Sequence, residues 1–288
     1  MNTVQRVIRD FCFPILSGGL LGLSIPSHAQ GVTVTVSPAA PEAFQPFTLT
    51  GVECVPRRSM STDEQGVNIS TENRWIYAPM WPADECSPAV SRLINIPGLP
   101  EGDYQVFNVP ETGFIPPMIE IGAVTIAPAP PIQPVFAFYN QSIKHYFITA
   151  STTEKDSLLN GGGGGGWDIV DGGFIAWPAD GPAPAAAKPV CRFYSAAVNS
   201  HFYTAGTGEC ESLKQPGSGW TYEGIAFRAL VPTKGSCYPG THPVWRLYND
   251  RFAQSDSNHR FVSSADVYRH MIASGWIGEG VAFCSPES

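Results

Sequence analysis

Three stretches of the chain set a histidine among aromatic residues just ahead of a helix start: KHYFITASTTEK (144–155), NSHFYTAGTGEC (199–210) and NHRFVSSADVYR (258–269). Their histidines, His145, His201 and His259, suit two chemistries. Each imidazole can line a ligand pocket, or all three can converge on an axis, where zinc accepts three histidines. No carboxylate or cysteine co-ligand recurs beside them, so neither metal nor cofactor is expected. The plainer role is a ring bonded to backbone and packed on aromatics. Trp167, Trp220 and Trp276, with Tyr139, Tyr194 and Tyr248, can stack on sugar faces or lock a core. Glu223 and Glu279 can work as acid and base, but each sits in an EG turn, where binding loop N–H groups is the simpler task. There is no GxSxG or HExxH. The six-glycine run at 161–166 lacks the Gly-Lys-Ser/Thr ending of a phosphate loop. No catalytic residue is assigned, and a non-enzymatic protein is expected.

The three stretches share one grammar, a threefold repeat. An aromatic strand (FAFYN, CRFYS, WRLYN) turns into a second strand carrying the histidine. A short helix follows. Ser151 with Glu154 has capping-box spacing, and Thr207 and Ser264 are the matching cap candidates. A Gly-rich break and a tryptophan then open a last strand. Tyr139, Tyr194 and Tyr248 are 55 and 54 residues apart, and the tryptophans 53 and 56. The expected module (135–286) holds three ββαβ repeats with short helices, about 135–178, 190–232 and 244–286. One such unit cannot bury its face alone, so a pseudo-threefold closure is expected.

With CRFY, HFYTA, EC, GWTYEGIAF, NHRF and GEGVAFC in order, residues 134–286 resemble the DUF5648 family of secreted bacterial repeat modules of unknown function. The resemblance implies an accessory module on exported proteins, sometimes beside hydrolytic domains, and no established catalytic activity. The first repeat departs from the pattern. It reads WDIVDGGF where the others have Glu223-Gly224 and Glu279-Gly280, which puts any site using that glutamate in doubt there.

Upstream, VTVTV (32–36), FTLTGV (47–52), RWIYA (74–78), RLINI (92–96), YQVFNV (104–109) and MIEIGAVTI (118–126) are alternating or β-branched runs separated by turn residues. They predict an immunoglobulin-like β-sandwich over 31–127, so the whole chain is read as mainly β. The polar stretch 56–70 reads as an exposed loop. The proline-rich segment 128–134 reads as a stiff linker.

Arg6 and Arg9, an apolar run and SHAQ predict a signal peptide over 1–29. Beyond it no segment is apolar enough to span a membrane. The chain carries a net charge of −8. Without the leader, 15 Lys and Arg stand against 24 Asp and Glu, and no basic cluster exists to hold nucleic acid. Six cysteines remain after Cys12, an even number that suits an oxidising compartment. The expected local pairs are Cys54–Cys86, Cys191–Cys210 and Cys237–Cys284. Together these predict a secreted protein, extracellular or periplasmic. Its expected partner is an extracellular glycan, with three repeated sites gaining avidity. A structural or surface-protein interaction module and a hydrolase of extracellular polymer are the alternatives.

Overall fold

The computed structural model describes residues 34–54, 67–80, 89–108 and 120–287, without the side chains of 52–54 and 89–90. The expected leader, the Cys54–Cys86 pair and most of the polar 56–70 stretch lie outside these residues.

Alternating apolar residues build the N-terminal half. Its strands are β1 (Thr35–Ser37), β2 (Phe47–Cys54), β3 (Asn68–Ser70), β4 (Trp75–Ala78), β5 (Ala89–Ile96), β6 (Gly102–Asn108) and β7 (Glu120–Ile126). One sheet runs β1-β2-β5 and the other β3-β4-β6-β7, with β4 parallel to β6. Leu49, Ile94 and Ile96 of the first sheet share a core with Ile76, Tyr104, Val106 and Val124 of the second. Residues 68–70, read from sequence as loop, form β3 instead, because Ile69 pairs in register with Ile76.

Three units follow in the order strand, strand, helix, strand. The first has β8 (Gln133–Asn140), β9 (His145–Thr149), α1 (Thr152–Leu159), β10 (Trp167–Ile169) and β11 (Phe174–Ala176). The second has β12 (Lys188–Ser195), β13 (Ser200–Thr204), α2 (Thr207–Leu213) and β14 (Thr221–Ala229). The third has β15 (Thr241–Tyr248), β16 (His259–Val262), α3 (Ala265–Ala273) and β17 (Ile277–Pro286). Each unit's first strand is central, flanked antiparallel by its second and last strands. In the first unit the last strand is broken into β10 and β11, both paired to β8, and Gly172 in the break has φ of +121°.

The last strands meet at an axis. Phe174, Phe227 and Phe283 contact one another pairwise at 5.6, 5.9 and 5.6 Å between ring centroids. Each pairs across its sheet with a buried valine, Val135, Val190 or Val244. The second strands add Ile148, Tyr203 and Phe261 to the same core. There the Tyr203 hydroxyl donates to the Ile148 carbonyl at 2.6 Å. Burial raises the Tyr203 pKa, so the phenol keeps its proton.

The helices start where short side chains bind backbone. Ser151 Oγ accepts from Glu154 N, and Ser264 Oγ from Val267 N. The expectation for Thr207 is corrected: it is the first residue of α2, and Gly206 occupies the cap without a side-chain bond. Thr149 and Thr204 explain the count. Each hydroxyl accepts from the N–H two residues on, at Ser151 and Gly206, which fixes those residues as caps. Cys191–Cys210 pins β12 to α2, and Cys237–Cys284 pins the segment before β15 to β17.

The N-terminal sheets rest on the three units. Trp177, Ala187, Leu230 and Cys284 join the core of the two sheets. Trp177 meets Phe44 edge-on at 5.9 Å and donates its indole N–H to the Pro130 carbonyl. Residues 31–288 accordingly form one compact unit. Residues 128–132 lack regular structure, and β8 begins at Gln133.

Phe227→Ala removes a ring from the axis and should cost about 3–5 kcal/mol in chemical denaturation, whereas Tyr222→Ala, on the exposed face of β14, should cost far less. Gly206→Ser supplies the missing cap oxygen at a φ of −72°. It should raise stability by about 0.5 kcal/mol; an unchanged denaturation midpoint would count against the cap assignment.

Candidate functional site: the clefts between units

A strand's two faces alternate, and that alternation builds the site. On β12, Cys191 and Phe193 pack toward α2. Arg192 and Tyr194 therefore point the other way, toward the first unit. His201 stands opposite Tyr194 in register, and Glu223 lies on the neighbouring β14. The first unit brings Glu154, the third residue of α1, and Phe147 of β9. Arg192 Nη1 reaches Glu154 Oε2 at 2.9 Å, and its Nε reaches Glu223 Oε2 at 2.9 Å. The guanidinium also lies over Phe147, 5.7 Å from the ring centre. Burial works to lower the Arg192 pKa, but its interactions with Tyr203, Glu154 and Glu223 override it and raise the value.

His201 completes the group. Its ring meets Phe147 edge-on at 4.8 Å, and Nε2 stands 3.3 Å from Glu223 Oε2. Burial first, then the positive charge of Arg192 and the neighbouring His145, holds its pKa at about 4. The ring is neutral near pH 7, and its proton belongs on the nitrogen facing the carboxylate. Around these groups lies a cleft of about 360 Å³, to which Trp167, Tyr194, Asn199 and Ser157 also contribute. Glu154, Arg192 and Glu223 form a bar between this cleft and a shallower hollow of about 530 Å³ lined by Thr149, Ser151, Thr152 and Asp180.

The junction between the second and third units repeats the bar. Arg246 Nε meets Glu279 at 2.8 Å and Nη1 meets Glu209, the third residue of α2, at 3.4 Å. Arg246 lies over Phe202 at 5.0 Å, and His259 meets Phe202 edge-on at 4.9 Å. His259 Nε2 stands 3.5 Å from Glu279. Burial, then Arg246, holds the His259 pKa at about 3.

The junction between the third and first units does not repeat it. Position by position, Ala137 stands for the arginine, Val170 and Val267 for the two glutamates, and Tyr146 for the histidine. Arg260 occupies the place of Phe147 and Phe202 and lies over Tyr146 at 4.4 Å. An arginine–aromatic contact survives there with the two partners exchanged between units, and the carboxylates are gone.

This register corrects the reading of three equivalent histidines. In β9, Tyr146 pairs with Tyr139, as His201 pairs with Tyr194 and His259 with Tyr248. His145 lies one residue earlier on the strand and is buried, yet it still borders the first-junction cleft. Its Nδ1 lies 2.7 Å from the Asn199 carbonyl and its Nε2 3.0 Å from Asp256. It thus ties the hairpin ends of all three units. Burial pushes the Asp256 pKa up, but hydrogen bonds from His145 and Arg251 prevail and hold it low.

Trp167, Trp220 and Trp276 are half-buried, each edge-on or tilted against a second-strand ring: Phe147, Phe202 and Tyr146 respectively. Tyr139 packs on Tyr146, and Tyr248 stacks flat on His259 at 4.8 Å. Among the described residues no group of three or more His, Cys, Asp and Glu side chains is placed to hold a metal ion. None of the described helices is long and apolar enough to cross a membrane.

Sequence reasoning passed over Arg192, Arg246 and Glu209, and took Glu154 only as a helix cap. A signal was present. CRFY and WRLY occur in the two units that carry the EG glutamate, whereas FAFY and VDGG lack both together. Linked presence and absence of opposite charges marks a shared contact.

Residues 133–286 thus form a three-unit β module closed on an aromatic axis, with charged bars at two of its junctions. Residues 118–230 match the family model described as a domain of unknown function (DUF5648). The match takes in both sides of the first junction. Neither a curated protein nor a solved structure matches the chain.

His201 and His259 bind protons more weakly folded than unfolded, where an ordinary histidine titrates near 6.5. Their contribution to stability is full above about pH 6.5 and is lost as pH falls toward about 4 and about 3. The melting temperature should drop across this window. His201→Phe should flatten the decline, and an identical pH profile in that variant would refute the assignment.

Proposed function

We propose that this is an exported, non-enzymatic recognition protein that binds a glycan of a cell surface or matrix in the cleft of the first junction. One observation carries the reading. Half-buried Trp167 and Tyr194 border the same cleft as the Glu154–Arg192–Glu223 bar and neutral His201. Aromatic faces suit pyranose C–H surfaces. Carboxylate and guanidinium groups fix hydroxyls with charge-assisted hydrogen bonds, roughly twice as strong as neutral ones. The apolar-and-polar lining is that of a small-ligand site. Export is supported by the leader-like residues 1–29 and by two disulfides, which persist in oxidising compartments. The N-terminal sheets, read as an immunoglobulin-like sandwich, act as a spacer or adhesion layer.

A hydrolase is less well supported. Glu154 and Glu223 bracket one guanidinium instead of facing each other across an open gap. Neither carboxylate of this bar is left free to serve as acid or nucleophile.

The full chain applied to a glycan array should bind at least one oligosaccharide class. Glu223→Gln, shown to be folded by circular dichroism, should bind it about tenfold more weakly, as expected for loss of one charged hydrogen bond. An array on which every glycan class stays blank would end the proposal.

A further inference from the structure

We propose that the junction between the second and third units is a second binding site, and that both junctions take neutral sugars, so the module is bivalent. The inference rests on the glycan reading of the first junction.

The two junctions present the same chemistry at nearly the same spacing. The inner carboxylate contact to arginine Nε is 2.9 Å in one and 2.8 Å in the other. The histidine–carboxylate approach is 3.3 and 3.5 Å, and the histidine–phenylalanine edge contact 4.8 and 4.9 Å. Trp220 stands beside Phe202 as Trp167 stands beside Phe147. Each bar holds two carboxylates and one guanidinium, so it is net negative while its histidine is neutral. Uronates and sulfated sugars are repelled. A neutral sugar, bringing hydroxyl hydrogens to carboxylate oxygens, is matched.

A second observation points to a ligand. The side chain of His259 is only 9 % exposed, and its Nδ1 is buried with no hydrogen-bond partner. With the proton on Nε2 facing Glu279, Nδ1 is an acceptor site that lacks a donor. A sugar hydroxyl fills it once the Tyr248 ring, which stacks on His259, swings aside. His201 is more open at 24 %, so the second site should be the weaker one. The third junction has valines for both glutamates and binds nothing of this class. Two linked sites on one rigid body gain avidity on a polymer presenting repeated sugars.

Isothermal titration calorimetry of the full chain, with maltotriose and with triacetylchitotriose, tests this. The expected result is two molecules of at least one trisaccharide per chain, in a tight and a weak step. Glu223→Gln should weaken the tight step about tenfold, and Glu279→Gln should weaken the weak step by a similar factor. A trigalacturonate should not bind. One trisaccharide per wild-type chain, or a Glu279→Gln protein whose weak step is unchanged, overturns the second site and leaves the first standing. No heat from either trisaccharide also overturns it, and a blank glycan array would then show that the glycan reading falls as well.

Discussion

Three phenylalanine rings in mutual contact are the constraint on which the module depends. Phe174, Phe227 and Phe283 can meet only if the three last strands converge. That convergence leaves each central strand with one face turned to its own helix and the other to the preceding unit. On β12 and β15 the outward face carries arginine, and the start of the preceding helix supplies the carboxylate. A glutamate in the first turn also sits well against the positive end of the helix dipole. Glu154 therefore serves two settings at once, the start of α1 and the bar across the cleft. The apolar axis fixes distances, and the polar periphery uses them.

Much of the fold was legible because local patterns set it. Alternation announced a mainly β chain. Ser151 and Ser264 announced helix starts, and the spacing of Cys191–Cys210 and Cys237–Cys284 announced their pairing. What escaped was register. His145 occupies the motif position of His201 and His259 when the strings are compared by eye, yet a one-residue offset in a strand turns a side chain to the opposite face. Strand pairing reveals that offset and a motif does not. Thr207 was misplaced for a related reason, since the cap is set by the threonine two residues before it. The bars escaped because their members lie on different units, and no local pattern encodes a contact across 38 residues, as between Glu154 and Arg192.

The departures at the junction of the third and first units form a coherent set. Ala137, Val170, Tyr146, Val267 and Arg260 change together at the one junction that closes the ring. The Arg260–Tyr146 contact keeps the cation–aromatic attraction without the carboxylates. Closure there rests on packing, the cation–π contact and the His145–Asp256 contact, where the other junctions use arginine–glutamate pairs.

The Cys237–Cys284 bond spans 47 residues and encloses the third unit from its entry segment to its last strand. Its consequence is mechanical. Tension applied at the C-terminal end passes through the sulfurs to the segment before β15 and bypasses the third unit. That unit can neither unravel under load nor be peeled from the axis strand by strand. A chain tethered at its C-terminal end while holding a ligand at the first junction would carry the force through the second unit, whose own β12–α2 connection is also covalently clipped.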